Sequence, residues 1–381
     1  MPLGSRTFIK ALLAMTGTII GAGVFGLPAA FARVGFWPGT FLFFFLTLAV
    51  ALTHALYVAI ILKIPGKKHL AEYAKHGLGE TAHAVASVTF PLHIIGSNVA
   101  YIILGGEFSA LLADAIGLSL PLSLWQILFW LSTVTIVYYG LRSIALVESY
   151  ATLLLLVTMV VAIVLVWPSV VLSPIAQLGS WENLALPFGV FLFTLSGLSV
   201  VTEVVEITKR SRVDAYGSVI LGTVVASLFS YIFGVALYLA SRGFPVRSST
   251  ELIALLPSAW AWIVPLLGLL AIITSYITSA ESLRSSLVTD VKLKPKLAMG
   301  LALLTPFIIF TITTRDFLSV IGFVGAVLIA INYLIVCLIG WKMASGIRST
   351  MRRLSYSVVC ILLMSVFAFG MLQKLFSRTN L

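Results

Sequence analysis

The sequence predicts an all-α polytopic membrane protein built from two inverted five-helix repeats, with helices 1 and 6 discontinuous, plus an eleventh helix. Three observations predict this. Of 381 residues, 60% are hydrophobic and only 10% are charged, against about 25% charged in soluble domains. The apolar residues fall in runs of twenty or more, and each such run can cross a hydrocarbon core of about 30 Å as a helix. Two of the runs are interrupted near their midpoints, and they hold the same place in two successive sets of five.

The first run covers 7–33. It exceeds the length of a signal-peptide core and no clear small-residue cleavage site follows it, so it reads as a retained span. Spans 2 to 5 follow at 37–62, 85–112, 121–139 and 144–167. Between spans 2 and 3, the stretch from His69 to Lys75 is amphipathic enough for a helix on the membrane surface. Spans 6 to 11 cover 185–207, 215–240, 260–289, 297–314, 316–341 and 354–375. The connection at 241–259 carries Ser249, Thr250 and Glu251 before an apolar run, a pattern for a short capped helix. Cys337 and Cys360 both lie inside apolar runs, where they read as small packing residues rather than a disulfide or a metal site.

The basic residues orient the chain. With the N-terminus in the cytoplasm, eighteen of the 24 Lys and Arg residues fall in inside segments, among them Arg6, Lys63, Lys75, Arg142, Lys209, Arg210, Lys292, Lys294, Lys296, Arg348 and Arg352. Six fall outside: Arg33, Arg242, Arg247, Arg315, Lys374 and Arg378. The net charge of +11 therefore reflects cytoplasmic loops rather than nucleic-acid binding.

The two interruptions point to a ligand site. Span 1 holds Gly17, Gly21, Gly23, Gly26 and Pro28, and glycine costs about 1 kcal/mol relative to alanine inside a helix. Span 6 holds Ser196-Gly197 at its midpoint. Five is odd, so the second set enters the membrane from the opposite side. The repeats are 1–167 and 185–341, joined by an extracellular connection at 168–184 and followed by a loop and the eleventh helix at 342–381. Broken helices at matching places in inverted halves are a pointer to a transporter binding site. Each break frees backbone groups that lipid cannot satisfy. One half-helix end can hold a carboxylate and the other an ammonium, which is what a zwitterion needs. Close helix packing is the competing reading, because Gly17 and Gly21 stand four apart.

At these residues the sequence resembles the amino acid–polyamine–organocation superfamily, closest to its hydroxy and aromatic amino acid permease branch. The stretch from Gly17 to Pro28 looks like that branch's first-helix signature. The resemblance implies a LeuT-type fold and a secondary active transporter working by alternating access. It puts a substrate carboxylate on the amides of Gly21, Ala22 and Gly23. It puts the ammonium near carbonyls of Thr18, Ile19, Phe193, Thr194 and Ser196, beside Gly197, with Phe193 as an aromatic lid. It also implies a sodium site made by the hydroxyls of Thr274 and Ser275 and the carbonyls of Gly17, Ile20 and Ala271. No cofactor is implied. The coupling ion is Na+ or H+, with sodium favoured because no member of this neutral oxygen set titrates near pH 7.

Other polar residues widen the candidate set. Span 8 carries Thr274, Thr278, Glu281 and Ser285 on one face and Ser275, Ser279, Ser282 and Ser286 on the next. Asn98 and Tyr101 in span 3 are candidates for side-chain selectivity. Glu203 and Glu206 are read either as local partners of Lys209 and Arg210 or as an inner gate with Arg6 or Lys10. Glu281 is read either as a gating or proton candidate or as a partner of a basic loop, Glu148 as a partner for Arg142 or a neighbouring helix, and Glu107 as a residue of an outer vestibule. His54 and His93 read as packing histidines rather than proton relays. The aliphatic residues at the breaks suit a neutral or aromatic amino acid. A channel is disfavoured because no filter-like repeat appears. An intramembrane enzyme is disfavoured because the spans hold no metal-ligand spacing or nucleophile turn. A sensor that keeps the transporter fold stays open. The expected setting is the lipid bilayer of a bacterial or archaeal cytoplasmic membrane, with the C-terminus outside.

Overall fold

A computed structural model of the chain describes residues 6–64, 66, 69–140, 144–176, 179–182, 184–242, 251, 262–346 and 349–376. Among these residues all regular structure is helical, and eleven helical stretches are long and apolar enough to cross a membrane. They are Arg6–Val34, Phe36–Lys63, Glu80–Asp114, Leu122–Tyr139, a fifth from Ile144–Val166, then Ala185–Ile207, Arg212–Ala240, Ile263–Thr289, Pro295–Ile312, Phe317–Ala344 and Thr350–Phe376. The chain is a multi-pass membrane protein. The sidedness expected of Arg247, the capped helix after Ser249 and the pairing of Glu148 with Arg142 fall outside the described residues and side chains.

Burial sorts the spans into a core and a rim. Spans 1, 2, 3, 6 and 10 are mostly buried, whereas spans 4, 5, 9 and 11 leave most of their apolar surface exposed, as lipid-facing helices do. Both interrupted helices therefore lie at the centre of the bundle. Span 1 stops at Ile19, turns through Ile20 and extended Gly21 (φ −134°, ψ −154°), and resumes as a tight 3₁₀ turn over Ala22–Gly26. The regular helix Leu27–Val34 follows, with Pro28 in its first turn, where a missing N–H costs nothing. Span 6 stops at Leu195, passes through extended Ser196 (ψ 127°) and restarts at Leu198.

The two breaks are packed on each other. A Cβ on Gly197 would lie 2.7 Å from Ile19 Cγ1, and one on Gly23 would lie 2.7 Å from Thr194 Oγ1. The surface helix expected after span 2 forms over Leu70–Leu78, and Gly79 (φ 101°) turns the chain directly into span 3. Span 3 starts at Glu80, one turn earlier than its apolar run, because polar residues of its first turns pair with this surface helix. Lys75 meets Glu80 at 3.0 Å and His83 meets Glu72 at 3.5 Å.

Span 10 holds a feature the sequence did not announce. Between Phe317–Phe323 and Ala330–Ala344 it widens into a π-helical turn over Val324–Ile329. The turn lies against the first half of span 6. A Cβ on Gly325 would fall 1.9 Å from the Gly189 carbonyl oxygen, and one on Gly189 would fall 2.0 Å from that of Gly322. Glycine is required at both positions because backbone meets backbone.

Candidate functional site

A cavity of about 480 Å³ opens at the two breaks. Thr18, Ile19, Gly21, Ala22 and Gly23 line it from span 1, and Phe193, Ser196 and Ser199 from span 6. Span 3 adds His93, Ser97 and Tyr101. From the breaks the cavity runs toward the ends of spans 6 and 8 that carry Glu203 and Arg284. The basic residues predict that end to be cytoplasmic.

Polar groups converge at the head of the cavity. The Cβ position on Gly21 lies 3.1 Å from Ser275 Oγ and 3.7 Å from the Tyr101 hydroxyl, and these two hydroxyls are within hydrogen-bonding reach of each other. A backbone turn thus shares a corner with two hydroxyls, a set that suits an anionic oxygen. Phe193 presents a ring edge beside Gly23, with Cδ1 3.1 Å from its Cβ position.

Span 8 contributes a wide polar face. Ser275, Ser279 and Ser282 line the cavity on one stripe, and Thr278, Glu281 and Ser285 on the adjacent one, each three or four residues apart. Both faces expected from the sequence therefore contribute to the lining, without Thr274 and Ser286. Thr274 lies off it, and its hydroxyl donates to the Ala271 carbonyl at 2.9 Å. Ser286 is buried and donates to Asp290 Oδ2 at 3.0 Å. Asp290 lies just past the end of span 8, where burial raises its carboxyl to about 6, against the hydrogen bonds from Ser286 and Thr289 that lower it.

Of the five expected sodium ligands, Thr274 and Ala271 meet directly through their hydrogen bond. Ile20 and Ala271 together line a small apolar void of about 20 Å³ beside Gly21, while Ser275 faces the main cavity. A Cβ on Gly17 would meet the Thr152 side chain at 2.0 Å, so that residue packs against span 5. Thr194 is buried and its hydroxyl donates to the Val190 carbonyl at 2.8 Å. Asn98 is buried behind the lining and accepts from Ser279. Gly197 packs against Met15 and Ile19.

The acidic candidates separate. Glu203 is exposed at the mouth. Glu206 pairs with Arg210 at 2.9 Å, and Arg210 also donates to the Ile64 carbonyl at 3.0 Å, tying the end of span 6 to the end of span 2. Glu281 pairs with Arg284 one turn along, with Arg284 Nε 2.7 Å from Oε2. Sequence reasoning missed His69, whose Nε2 lies 3.0 Å from Ser285 Oγ, and Ser97, one turn before Tyr101 on the same face. Their spacing from Tyr101 and Ser285 is the signal that locates them only once the lining face is known.

An aromatic cluster packs next to the break of span 1, with Phe25 and Phe233 lining the small void beside Gly21. Phe25 meets Phe108 at 4.9 Å and Phe233 at 5.7 Å, both edge-on. Gly268 lets span 8 approach this cluster, since a Cβ there would fall 2.1 Å from Phe108.

Comparison with known proteins adds three kinds of finding. A family model described as the tryptophan/tyrosine permease family matches residues 5–241. The vacuolar amino acid transporter 5 of Schizosaccharomyces pombe is 28% identical over 123 residues, which is 32% of this chain and 29% of that protein's length. Among solved structures, MhsT in complex with L-phenylalanine superposes with a TM-score of 0.71 at 14% identity, over 97% of this chain and 99% of that one. A substrate-bound, outward-open Na+-coupled sialic acid symporter gives 0.56 at 16% identity, over 98% and 91%. The inward-facing conformation of Mhp1 gives 0.58 at 13%, over 97% and 92%. At these identities the likenesses show the fold, which is the LeuT type.

Proposed function

Because this chain belongs to the tryptophan/tyrosine permease family, we propose that it is a secondary active transporter that carries a neutral, aromatic amino acid across a cytoplasmic membrane by alternating access, with a coupled cation. The observation that carries this reading is the cavity of about 480 Å³ that meets both helix breaks. Its size falls within the range of about 300–1,000 Å³ usual for small-molecule sites. The corner formed by the Gly21 turn, Tyr101 and Ser275 takes the carboxylate. The end of the first half of span 6, at Phe193, Thr194 and Ser196, takes the ammonium with its carbonyls, as does the end of the first half of span 1 at Thr18 and Ile19. The lining near Tyr101 and Phe193 suits an aromatic side chain, as does the L-phenylalanine bound to MhsT.

In the orientation the basic residues favour, with the N-terminus inside and the C-terminus outside, this cavity opens to the cytoplasm. The two repeats at 1–167 and 185–341 then alternate around it. Sodium is the favoured coupling ion. The oxygens of Gly17, Ile20, Ala271, Thr274 and Ser275 are neutral and hard, and the sialic acid symporter of the same fold is Na+-coupled. Thr274 uses its hydrogen on Ala271, which leaves its oxygen lone pairs free for a cation.

Uptake of L-tryptophan, L-tyrosine and L-phenylalanine into proteoliposomes tests the reading. Saturable accumulation of at least one, driven by an inward sodium gradient and weakened by Thr274→Ala with Ser275→Ala, is expected. Full-rate uptake in sodium-free buffer driven by acid outside overturns sodium coupling. Failure to accumulate any of the three overturns the substrate class.

A further inference from the structure

Behind the cavity lies a buried hydrogen-bonded chain that the transport reading does not use. His54 of span 2 is fully buried, with Nδ1 3.0 Å from Thr223 Oγ1 of span 7 and Nε2 2.9 Å from the Tyr333 hydroxyl of span 10. The directions of these bonds follow from counting hydrogens. Thr223 donates its hydroxyl hydrogen to the Val219 carbonyl at 2.8 Å, so toward His54 it can only accept. Nδ1 therefore carries the ring hydrogen. In a neutral imidazole Nε2 is then a bare acceptor, and Tyr333 donates to it. With its hydrogen aimed at His54, the Tyr333 oxygen keeps its lone pairs for other donors. The Ser196 side chain and the Gly197 backbone amide lie within hydrogen-bonding reach of it.

Those two residues are the break of span 6. Gly197 caps the start of the second half-helix, so its N–H is among the amides left without an intrahelical acceptor. The Tyr333 oxygen lies close enough to serve as that acceptor. The chain continues the other way as well. Next to Thr223, the Gly222 carbonyl accepts from Thr16 Oγ1 at 3.5 Å, one turn before the break of span 1. Every partner is a neutral hydroxyl or a backbone group. Neither His54 nor Tyr333 lines the cavity.

We propose that His54 and Tyr333 are a positioning pair that holds the break of span 6 in its ligand-binding shape. The pair aims the Tyr333 oxygen at Gly197 and Ser196, and so leaves the carbonyls at the end of the first half-helix free for a ligand ammonium. That last role rests on the transport reading above, whereas the hold on the break does not.

Two readouts on purified, reconstituted protein test this. The first is hydrogen exchange of the peptide covering 194–200 without ligand. The second is the affinity for L-tryptophan, L-tyrosine and L-phenylalanine, with uptake measured across pH. Tyr333→Phe removes the acceptor oxygen, and His54→Leu removes what aims it. Each is expected to speed exchange at 194–200 and to weaken binding about tenfold, the scale of one buried hydrogen bond. The double variant is expected to be no worse than either single one, as for residues acting in one chain. His54→Gln, whose amide offers one donor and one acceptor, is expected to restore both readouts with an unchanged pH profile. Unaltered exchange at 194–200 in Tyr333→Phe overturns the proposal. So does a His54→Gln variant that binds normally but loses its response to a pH gradient, since His54 would then carry a proton instead. The exchange readout needs no ligand, so it decides the pair even where wild-type protein binds none of the three amino acids and the transport reading fails.

Discussion

Gly21 and Gly23 stand two residues apart in the same break, yet their surroundings differ. A Cβ on Gly21 meets Ser275 Oγ at 3.1 Å, the tip of a side chain that can turn away. A Cβ on Gly23 meets Thr194 Cα at 2.8 Å, which is backbone and cannot. Gly23→Ala is therefore expected to separate the two breaks and weaken amino acid binding by tenfold or more, while Gly21→Ala changes it by about threefold or less, by isothermal titration; overpacking of this kind costs about 1–3 kcal/mol. Equal effects would show that the Gly23–Thr194 contact does not set the site. At this scale much was legible. Glycines and a Ser-Gly pair at mid-span mark where a helix must open, and Tyr101, Phe193 and Ser275 do face the cavity. Asn98 lies behind the lining because a polar side chain inside a membrane can be satisfied by a neighbour's hydroxyl as readily as by a ligand. His69 was invisible because it precedes a surface helix outside the spans, and only tertiary packing brings it over Ser285.

Span 10 shows what one element does for another. Its π-helical turn swings Gly325 onto the backbone of span 6 one turn before Phe193, so the shape of the break depends on a helix far away in sequence. Gly325→Ala places a methyl 1.9 Å from a carbonyl oxygen, and Gly189→Ala places one at 2.0 Å. Each is expected to lower the unfolding temperature in detergent by several degrees. Gly322→Ala meets only the Leu186 Cδ1 atom, at 2.8 Å, and should be nearly neutral. Similar losses for all three would mean that the backbone contact is not special. Span number, order and breaks could be read from the chain because hydropathy and glycine act locally. The π turn could not. Val324, Gly325, Ala326, Val327, Leu328 and Ile329 form an ordinary apolar run, and the extra residue in the turn is a response to the neighbouring helix.

At the scale of the whole molecule, eleven spans put the 292–296 segment and the connection between spans 3 and 4 on opposite faces. With Cys337 and Cys360 replaced, single cysteines at positions 294 and 118 should react with an impermeant maleimide from opposite sides of the membrane. Reaction from the same side breaks the inverted arrangement. The expected orientation rests on the sum of the basic residues, because it depends on many loops rather than on any one contact. The aromatic cluster next to the breaks was not legible, since Phe25, Phe108 and Phe233 come from three spans and meet only in the fold. Their meeting has an electrical consequence. Edge-on rings at 4.9 Å and 5.7 Å offer an ion nothing to replace its hydration shell, so passing between them is costly. Where these three rings meet, the molecule is an electrical insulator.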